Sequence, residues 1–187
     1  MHLVTGYSGK AHITADAVGA FNIGLIGRGD YVLNTGEKFE ASVITNNTVR
    51  IKDGDLIMQG RHVTLKSGAY EDLEISNGIN AMKRHDIVVA RYSRSSTTGV
   101  ESVVLAVVQG VSTEGTPNDP EITKGDIVSG NCTLHEMPLW RIPITELTVG
   151  KPVQLFKTLD SLENMLQIVS FNKSTGELVT QTANYTG

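Results

Sequence analysis

The chain has little cysteine and few aromatic residues, and each scarcity restricts what it can be. Cys132 is the single cysteine among 187 residues, so no intrachain disulfide framework can form and small disulfide-bonded secreted scaffolds are excluded. We therefore expect the chain to fold in a reducing cytoplasm. Aromatic residues make up 5% of the sequence, so the core must consist mainly of Val, Ile, Leu and Met, whose β-branched members favour strands.

Positive charge and long apolar runs are also scarce. The net charge is -4, and the longest basic run, Lys83-Arg84-His85, is interpreted as a solvated turn. Binding to a nucleic-acid backbone needs several Lys or Arg side chains on one face, so we expect no nucleic-acid partner. No stretch of about 18 apolar residues occurs, and the first residues lack the pattern of a signal peptide. We expect neither membrane insertion nor export by that route.

Between Asp30 and Gly110, short stretches of alternating apolar and polar residues are separated by turn-forming residues. This alternation predicts β-strands that each present one face to a core. The predicted strands are Tyr31–Leu33, Phe39–Ile44, Thr48–Lys52, Leu56–Gln59, His62–Leu65, Tyr70–Ile75, Asp86–Tyr92 and Val100–Val108. The last two are almost continuously apolar, which predicts a central pair buried on both faces.

The residues between these strands tolerate a positive φ or form Asx turns. The predicted turns are Asn46-Asn47, Asp53-Gly54, Ser67-Gly68, Asn77-Gly78 and Ser95–Gly99. Beyond them, Pro117 and Pro120 disfavour both ladders and helices between Val111 and Gly130. Short strands with regular interruptions are typical of a sandwich or small barrel.

Two short helices are predicted, one near each end of the chain. Thr14 can cap a helix in which Val18, Phe21 and Leu25 recur at helical spacing. Near the C-terminus, a pair resembling a capping box predicts a helix over 155–169. Its apolar face comprises Leu155, Leu159, Leu162 and Leu166. This face could pack on the chain's own sheet or against copies of itself in an oligomer.

The sequence divides into four segments. Residues 1–29 are predicted to form an N-terminal arm and helix, 30–110 a β body, 111–130 a linker or long loop, and 131–187 a C-terminal β segment with a helix. A last hairpin is predicted with Ser174–Gly176 at its turn. The predicted fold is mainly β, an antiparallel sandwich or small barrel with a short N-terminal helix and a short C-terminal helix.

No group of reactive side chains predicts catalysis, so no catalytic, cofactor-binding or metal-ligating residue is assigned. Cys132 and His135 would lie on opposite faces of a strand and are interpreted as a buried thiol and a surface imidazole. Together with Glu136 they fall short of a zinc site, because the other histidines show no partner spacing. Turn carboxylates such as Asp53 are interpreted as solvated. Gly27–Asp30 contains an Arg-Gly-Asp tripeptide, which is interpreted as a structural turn.

Five stretches between His12 and Gly110 carry a family resemblance. They are His12–Gly24, Tyr31–Phe39, Ile51–His62, Tyr70–Leu73 and Met82–Tyr92. Together they resemble a structural protein found among tail and baseplate genes of tailed phages and prophages of Gram-positive bacteria. The resemblance implies a virion component that is assembled in the bacterial cytoplasm, near the tail tip or anchoring a receptor-binding part. It implies a closed oligomer, commonly a trimer or hexamer, and no catalytic residues.

Two functions are therefore weighed. The first is a non-enzymatic tail or baseplate protein in which Met1–Gly29 attaches to neighbouring proteins. The alternative is a carbohydrate-binding module for host wall polysaccharide, with Tyr70, Tyr92 or Trp140 stacked on sugar rings. An enzyme such as a wall hydrolase ranks third. The apolar neighbours of Trp140 also fit packing in the core.

Overall fold

A computed structural model of the chain describes Val4 and residues 13–161 and 167–182. Helix α1 (Ala15–Ile26) comes first and is followed by twelve strands in the described residues. The strands are β1 (Asp30–Leu33), β2 (Ala41–Thr45), β3 (Thr48–Met58), β4 (Arg61–Glu74), β5 (Lys83–Arg94), β6 (Glu101–Val108), β7 (Leu134–Thr145), β8 (Thr148–Val149), β9 (Val153–Gln154), β10 (Thr158–Leu159), β11 (Gln167–Asn172) and β12 (Glu177–Thr182).

The strands form two five-stranded sheets and a separate hairpin. In the first sheet, β3 pairs antiparallel with β1, β2 and β4, and β10 lies parallel beside β1. In the second sheet the order is β6-β5-β7-β8, and β9 also pairs with β7. Strands β11 and β12 form the predicted tail hairpin, with its turn at 173–176.

The two sheets share one hydrophobic core. Val32, Ile51 and Leu56 come from the first sheet, and Val88 and Leu139 come from the second. All five side chains are almost fully buried. This arrangement confirms the prediction of a mainly β fold of the sandwich or small-barrel type. Because β7 pairs with β5 along most of its length, the C-terminal β segment and the β body contribute strands to one sheet.

Helix α1 begins where the sequence predicts. The backbone N–H of Ala17 donates to the Thr14 hydroxyl at 3.1 Å, so Thr14 is the N-cap. Gly27 follows the helix with φ 89°, a conformation that favours glycine. At 12 residues α1 is too short to cross a bilayer, and no other helix in the described ranges is long and apolar enough to do so.

Two predicted turns are wrong, because the strands continue through them. Strand β3 passes through Asp53-Gly54 at a bulge, and β4 passes through Ser67-Gly68 opposite it. Asp53 is buried and accepts a hydrogen bond from the Gly68 backbone N–H at 3.2 Å, so it is not the solvated carboxylate predicted. Gly54 is needed for packing, since an added Cβ would lie 2.9 Å from the Phe39 ring.

The prediction of a central pair of strands is confirmed for β5 and wrong for β6. Strand β5 is central in its sheet and largely buried, whereas β6 lies at the edge and is partly exposed, with Val104 facing solvent. The basic run Lys83-Arg84-His85 is the start of β5 and not a solvated turn. Within this run, Arg84 is buried and forms an ion pair with Asp86. The sequence pattern does not predict this pair.

The C-terminal helix predicted over 155–169 is wrong wherever the structure describes that segment. The Leu155 backbone N–H donates to the Leu139 carbonyl at 2.9 Å, and Leu159 pairs with Leu33 of β1. Residues from Gln167 onward form β11. Leu162 and Leu166 lie outside the described residues. The apolar spacing fits a helix, but backbone pairing with β1 and β7 decides the conformation of Leu155 and Leu159.

Candidate functional site

Tyr92, one of the three rings predicted to stack on a ligand, lies in the core with 1% of its surface exposed. Its hydroxyl donates a hydrogen bond to Glu101 Oε1 at 2.7 Å. Burial, followed by the bond to this carboxylate, raises the pKa of the Tyr92 phenol well above its usual range. A ring enclosed on both faces cannot stack on a sugar, so the ligand-stacking prediction is wrong for Tyr92.

Tyr70, the second predicted ring, is 53% exposed, but one of its faces is already covered. The guanidinium carbon of Arg50 lies 3.6 Å from the centre of the ring, a cation–π contact. Arg50 is held there by hydrogen bonds from Nε and Nη2 to the Asp72 carboxylate at 2.7 and 2.8 Å. The contact accounts for the exposed position of Tyr70 without a ligand, and sugar stacking at this ring stays a prediction.

Trp140, the third predicted ring, is half-buried at the surface of the second sheet. Its indole Nε1–H donates to the Phe39 carbonyl at 2.8 Å, so the ring is anchored to a loop of the first sheet. Phe156 packs against it edge to face, with 5.6 Å between the ring centres. Trp140 therefore takes part in packing and also lines a surface groove.

The two polar side chains of α1 both contact the β body. Asn22 Nδ2 donates to the Gly60 carbonyl at 2.8 Å, and Asp16 accepts from Arg61 Nη2 at 2.7 Å. Arg61 Nη1 also donates to the Ala15 carbonyl at 3.0 Å. Gly19 is the buried residue of the helix and lies directly over Gly60. Polar contacts and two glycines thus fix the helix to the start of β4.

Three large apolar side chains of α1 point away from the body, whereas Ile23 lies against Gly60. Val18, Phe21 and Leu25 are 41%, 65% and 50% exposed, and Ile13 just before the helix is 59% exposed. A surface helix normally buries its apolar residues and presents its polar residues to water. Helix α1 departs from this pattern because apolar side chains also lie on its outer face, so that face is an apolar surface held on the β body. We call Ile13, Val18, Phe21 and Leu25 the outer helix face.

A charged cluster holds the helix in this position. Besides its bonds to α1, Arg61 Nη2 lies 3.1 Å from Glu101 Oε1 on β6, and Glu101 accepts the Tyr92 hydroxyl. Partial burial alone would raise the pKa of Glu101, but the hydrogen bonds from Tyr92 and Arg61 and the Arg61 charge outweigh it and lower that pKa. The ionised carboxylate is therefore stabilised by folding.

This linkage predicts that acid weakens the structure around α1. A carboxylate whose pKa is lowered in the folded state contributes stability above its unfolded pKa of 4.5 and loses it as the pH falls through the folded value. We expect the wild type to lose more stability than Glu101→Gln between about pH 6 and about pH 3, measured by urea unfolding. The exposed Glu74→Gln is the control and should follow the wild type. Parallel pH profiles of wild type and Glu101→Gln would contradict the linkage.

His135 is buried with 2% of its surface exposed, so its interpretation as a surface imidazole is wrong. The Gly125 backbone N–H donates to Nδ1 at 3.1 Å, which leaves Nε2 to donate to Asp30 Oδ2 at 3.0 Å. Asp30 belongs to the Arg-Gly-Asp tripeptide, and Arg28 of the same tripeptide pairs with Asp126. These intramolecular partners support the interpretation of that tripeptide as a structural turn.

The side chains considered for nucleophilic or metal chemistry are engaged in contacts within the fold. Cys132 is buried, as expected, and its thiol donates to the Leu134 carbonyl at 3.2 Å. Within residues 13–161, the two ring nitrogens of His135 form hydrogen bonds with Gly125 and Asp30, and neither is bonded to the Cys132 thiol. Across the part of the chain that the structure describes, no three His, Cys, Asp or Glu side chains are grouped so as to hold a metal ion.

Sequence reasoning missed the Arg61 cluster and the pairing of Asp30 with His135. The members of each come from segments far apart in the chain, and 105 residues separate Asp30 from His135. No local pattern signals such contacts. Comparison of the chain with protein-family models, with curated proteins and with solved structures gave no match in any of the three.

Proposed function

We propose that this chain is a non-enzymatic structural protein of a phage tail tip or baseplate, which joins its neighbours through the outer helix face. The observation that carries the proposal is the exposed apolar outer face of α1. Its polar side chains, Asp16 and Asn22, are used to fix the helix to the body, while Val18, Phe21 and Leu25 face outward. Exposed apolar side chains held together on a rigid element are typical of a protein–protein interface.

The sequence resemblance supports the same assignment. The stretch His12–Gly24, which is among those that carry it, contains most of α1. A structural protein of a tail particle must keep its conformation under mechanical force. A β body with one shared core provides a stiff support for the helix. In this proposal the chain assembles in the host cytoplasm into a closed trimer or hexamer and then joins other tail proteins in the virion.

The mass of the chain in solution tests the proposal. We expect light scattering to give the mass of three or six copies at about 10 µM. At this concentration a stable oligomer is fully formed. The double variant Phe21→Glu/Leu25→Glu places two charges in the outer helix face and should behave as a monomer, because an unpaired charge in an apolar interface is costly.

A matched control separates assembly from folding. Ser96→Glu/Thr97→Glu adds the same two charges to the exposed loop between β5 and β6 and should keep the wild-type mass. All three proteins should have the same circular dichroism spectrum. A monomeric wild type, or a helix variant that keeps the oligomeric mass, would contradict attachment through the outer helix face.

A further inference from the structure

A second surface feature is a groove next to Trp140, on strand β7 and away from the residues that hold α1. It has a volume of about 330 Å³ and is lined by the loop at 36–40, by β9 and β10 and by the two rings Trp140 and Phe156. Ligand sites are commonly concave surfaces in which a few polar groups surround apolar ones. Trp140 and Phe156 also pack against the core, but attachment through the helix does not use this groove.

The rings in the groove are held in place before any ligand arrives. The hydrogen bond from Trp140 Nε1 to the Phe39 carbonyl and the edge-to-face contact with Phe156, whose ring plane is inclined by 83°, fix the indole. An anchored ring loses little conformational freedom when a ligand packs on it. Indole rings bind ligands that offer a flat apolar face with polar groups around its edge, as a sugar ring does.

Polar groups surround these rings. Glu37 and Glu40 lie on one side of the groove, and Gln154, the cross-strand partner of Trp140, lies on the other with Thr158. Lys52 Nζ contacts Glu40 Oε2 at 2.6 Å and Glu37 Oε2 at 3.8 Å, so one ammonium is shared between two carboxylates. The carboxylates keep free oxygen lone pairs that can accept hydrogen bonds from hydroxyl groups.

The charge of the lining restricts the ligand class. Glu37 and Glu40 carry two negative charges, which are balanced by Lys52, in contact with both, and by Lys38, which also lines the groove. Hydroxyl groups donate to carboxylates in strong charge-assisted hydrogen bonds. With no net charge to attract an anion, the lining suits a neutral, hydroxyl-rich ligand.

The loop at the edge of the groove has an unusual backbone. Gly36, Lys38 and Phe39 have φ values of 55°, 54° and 56°, in the left-handed region that Lys and Phe rarely adopt. The loop is held by the Trp140 hydrogen bond and by the Phe39 backbone N–H, which donates to the Asp53 carbonyl at 3.1 Å. Backbone strain of this kind is concentrated at ligand sites, where surrounding contacts maintain it.

We infer that the groove binds a neutral saccharide, with a sugar ring packed on Trp140 and its hydroxyl groups bonded to Glu37, Glu40 and Gln154. This inference goes beyond the proposed assembly role and does not depend on it. A monomeric chain could bind sugar, and an oligomeric chain could fail to bind it, so the two experiments fail separately.

Fluorescence titration tests the inference, because Trp140 is the single tryptophan of the chain and reports on this groove alone. The probes are maltotetraose, cellotetraose and chitotetraose as neutral saccharides and tetragalacturonate as the anionic one, with saturation-transfer NMR as a second readout. We expect saturable binding of at least one neutral probe and no tighter binding of tetragalacturonate. No saturable binding of any neutral probe, or preference for the anionic one, overturns the inference.

Groove variants locate the binding. Gln154→Ala and Glu37→Gln each weaken a predicted hydrogen bond and should reduce the affinity for the neutral probe about tenfold. The control Glu74→Gln, on an exposed part of β4, should leave the affinity unchanged. Thermal unfolding of all four proteins should coincide, since these side chains lie at the surface. Equal affinities in the control and in both groove variants would overturn the assignment of the ligand to this groove.

Discussion

Replacing Arg84 by methionine is expected to reduce the free energy of unfolding by about 3–5 kcal/mol. Arg84 and Asp86 are 2% and 0% exposed and form a two-point ion pair, with Nε–Oδ1 at 2.9 Å and Nη2–Oδ2 at 3.2 Å. The guanidinium also donates to the carbonyls of Ser76 and Asn77, and the Gly110 backbone N–H donates to Asp86 at 3.0 Å. The variant leaves a buried carboxylate without its partner and two carbonyls without a donor.

Urea unfolding measures this effect, and an exposed pair supplies the control. Arg50→Met removes an arginine whose partner Asp72 is solvated, so this variant should unfold close to the wild type. The double variant Arg84→Met/Asp86→Asn should recover part of the loss, because the unpaired charge is gone. If the free energy of unfolding of Arg84→Met were within about 1 kcal/mol of the wild-type value, the buried ion pair would not stabilise the second sheet as its contacts indicate.

Gly60→Ala is expected to release α1 from the β body at a cost of about 2 kcal/mol or more. Gly60 has φ 91°, and a Cβ at this position would lie 2.6 Å from the Gly19 carbonyl oxygen. The helix must move away, which also breaks the Asn22 hydrogen bond to the Gly60 carbonyl. Because the outer helix face depends on this position, we expect the variant to lose its oligomeric mass together with its stability.

Hydrogen exchange measures the release of the helix directly. Amides of α1 should exchange faster in Gly60→Ala, whereas those of β5 should be unchanged. Gly68→Ala is the matched control, since Gly68 also has a positive φ, 75°, but no atom lies within 4 Å of the added Cβ. The control carries the backbone strain without the steric contact. Similar exchange of α1 in both variants would contradict close packing of Gly19 on Gly60.

Local features of the fold were predictable from the sequence because their causes are local. The Thr14 cap, the Asn46-Asn47 turn and the tail turn each depend on a few neighbouring residues. The turn predicted at Asp53-Gly54 is wrong because the same dipeptide suits a turn and a bulge, and pairing with β4 decides between them. The leucine spacing from Leu155 fails to predict the conformation for a related reason, since tertiary pairing overrides a short apolar period.

The candidate sites were less predictable because they depend on distant contacts. Helical spacing identifies Val18, Phe21 and Leu25, but the direction in which they point is set by Gly60, in the turn before β4, and by Arg61 of β4. Trp140 could be named from the sequence, whereas the groove beside it is completed by the loop at 36–40. The sequence predicts a solvated Arg84 because nothing near it in the sequence shows that Asp86 is buried beside it.

The most direct test of the central claim is the reactivity of a thiol placed beside the outer helix face. Gly24→Cys adds a thiol at an exposed position on α1 with open space around it, and the native Cys132 is buried. We predict that maleimide labels this thiol at least about tenfold more slowly at about 10 µM than at about 10 nM, because assembly covers the helix. Labelling of Thr97→Cys should not change. An equal labelling rate for Gly24→Cys at both concentrations would contradict the claim that this helix is the attachment surface.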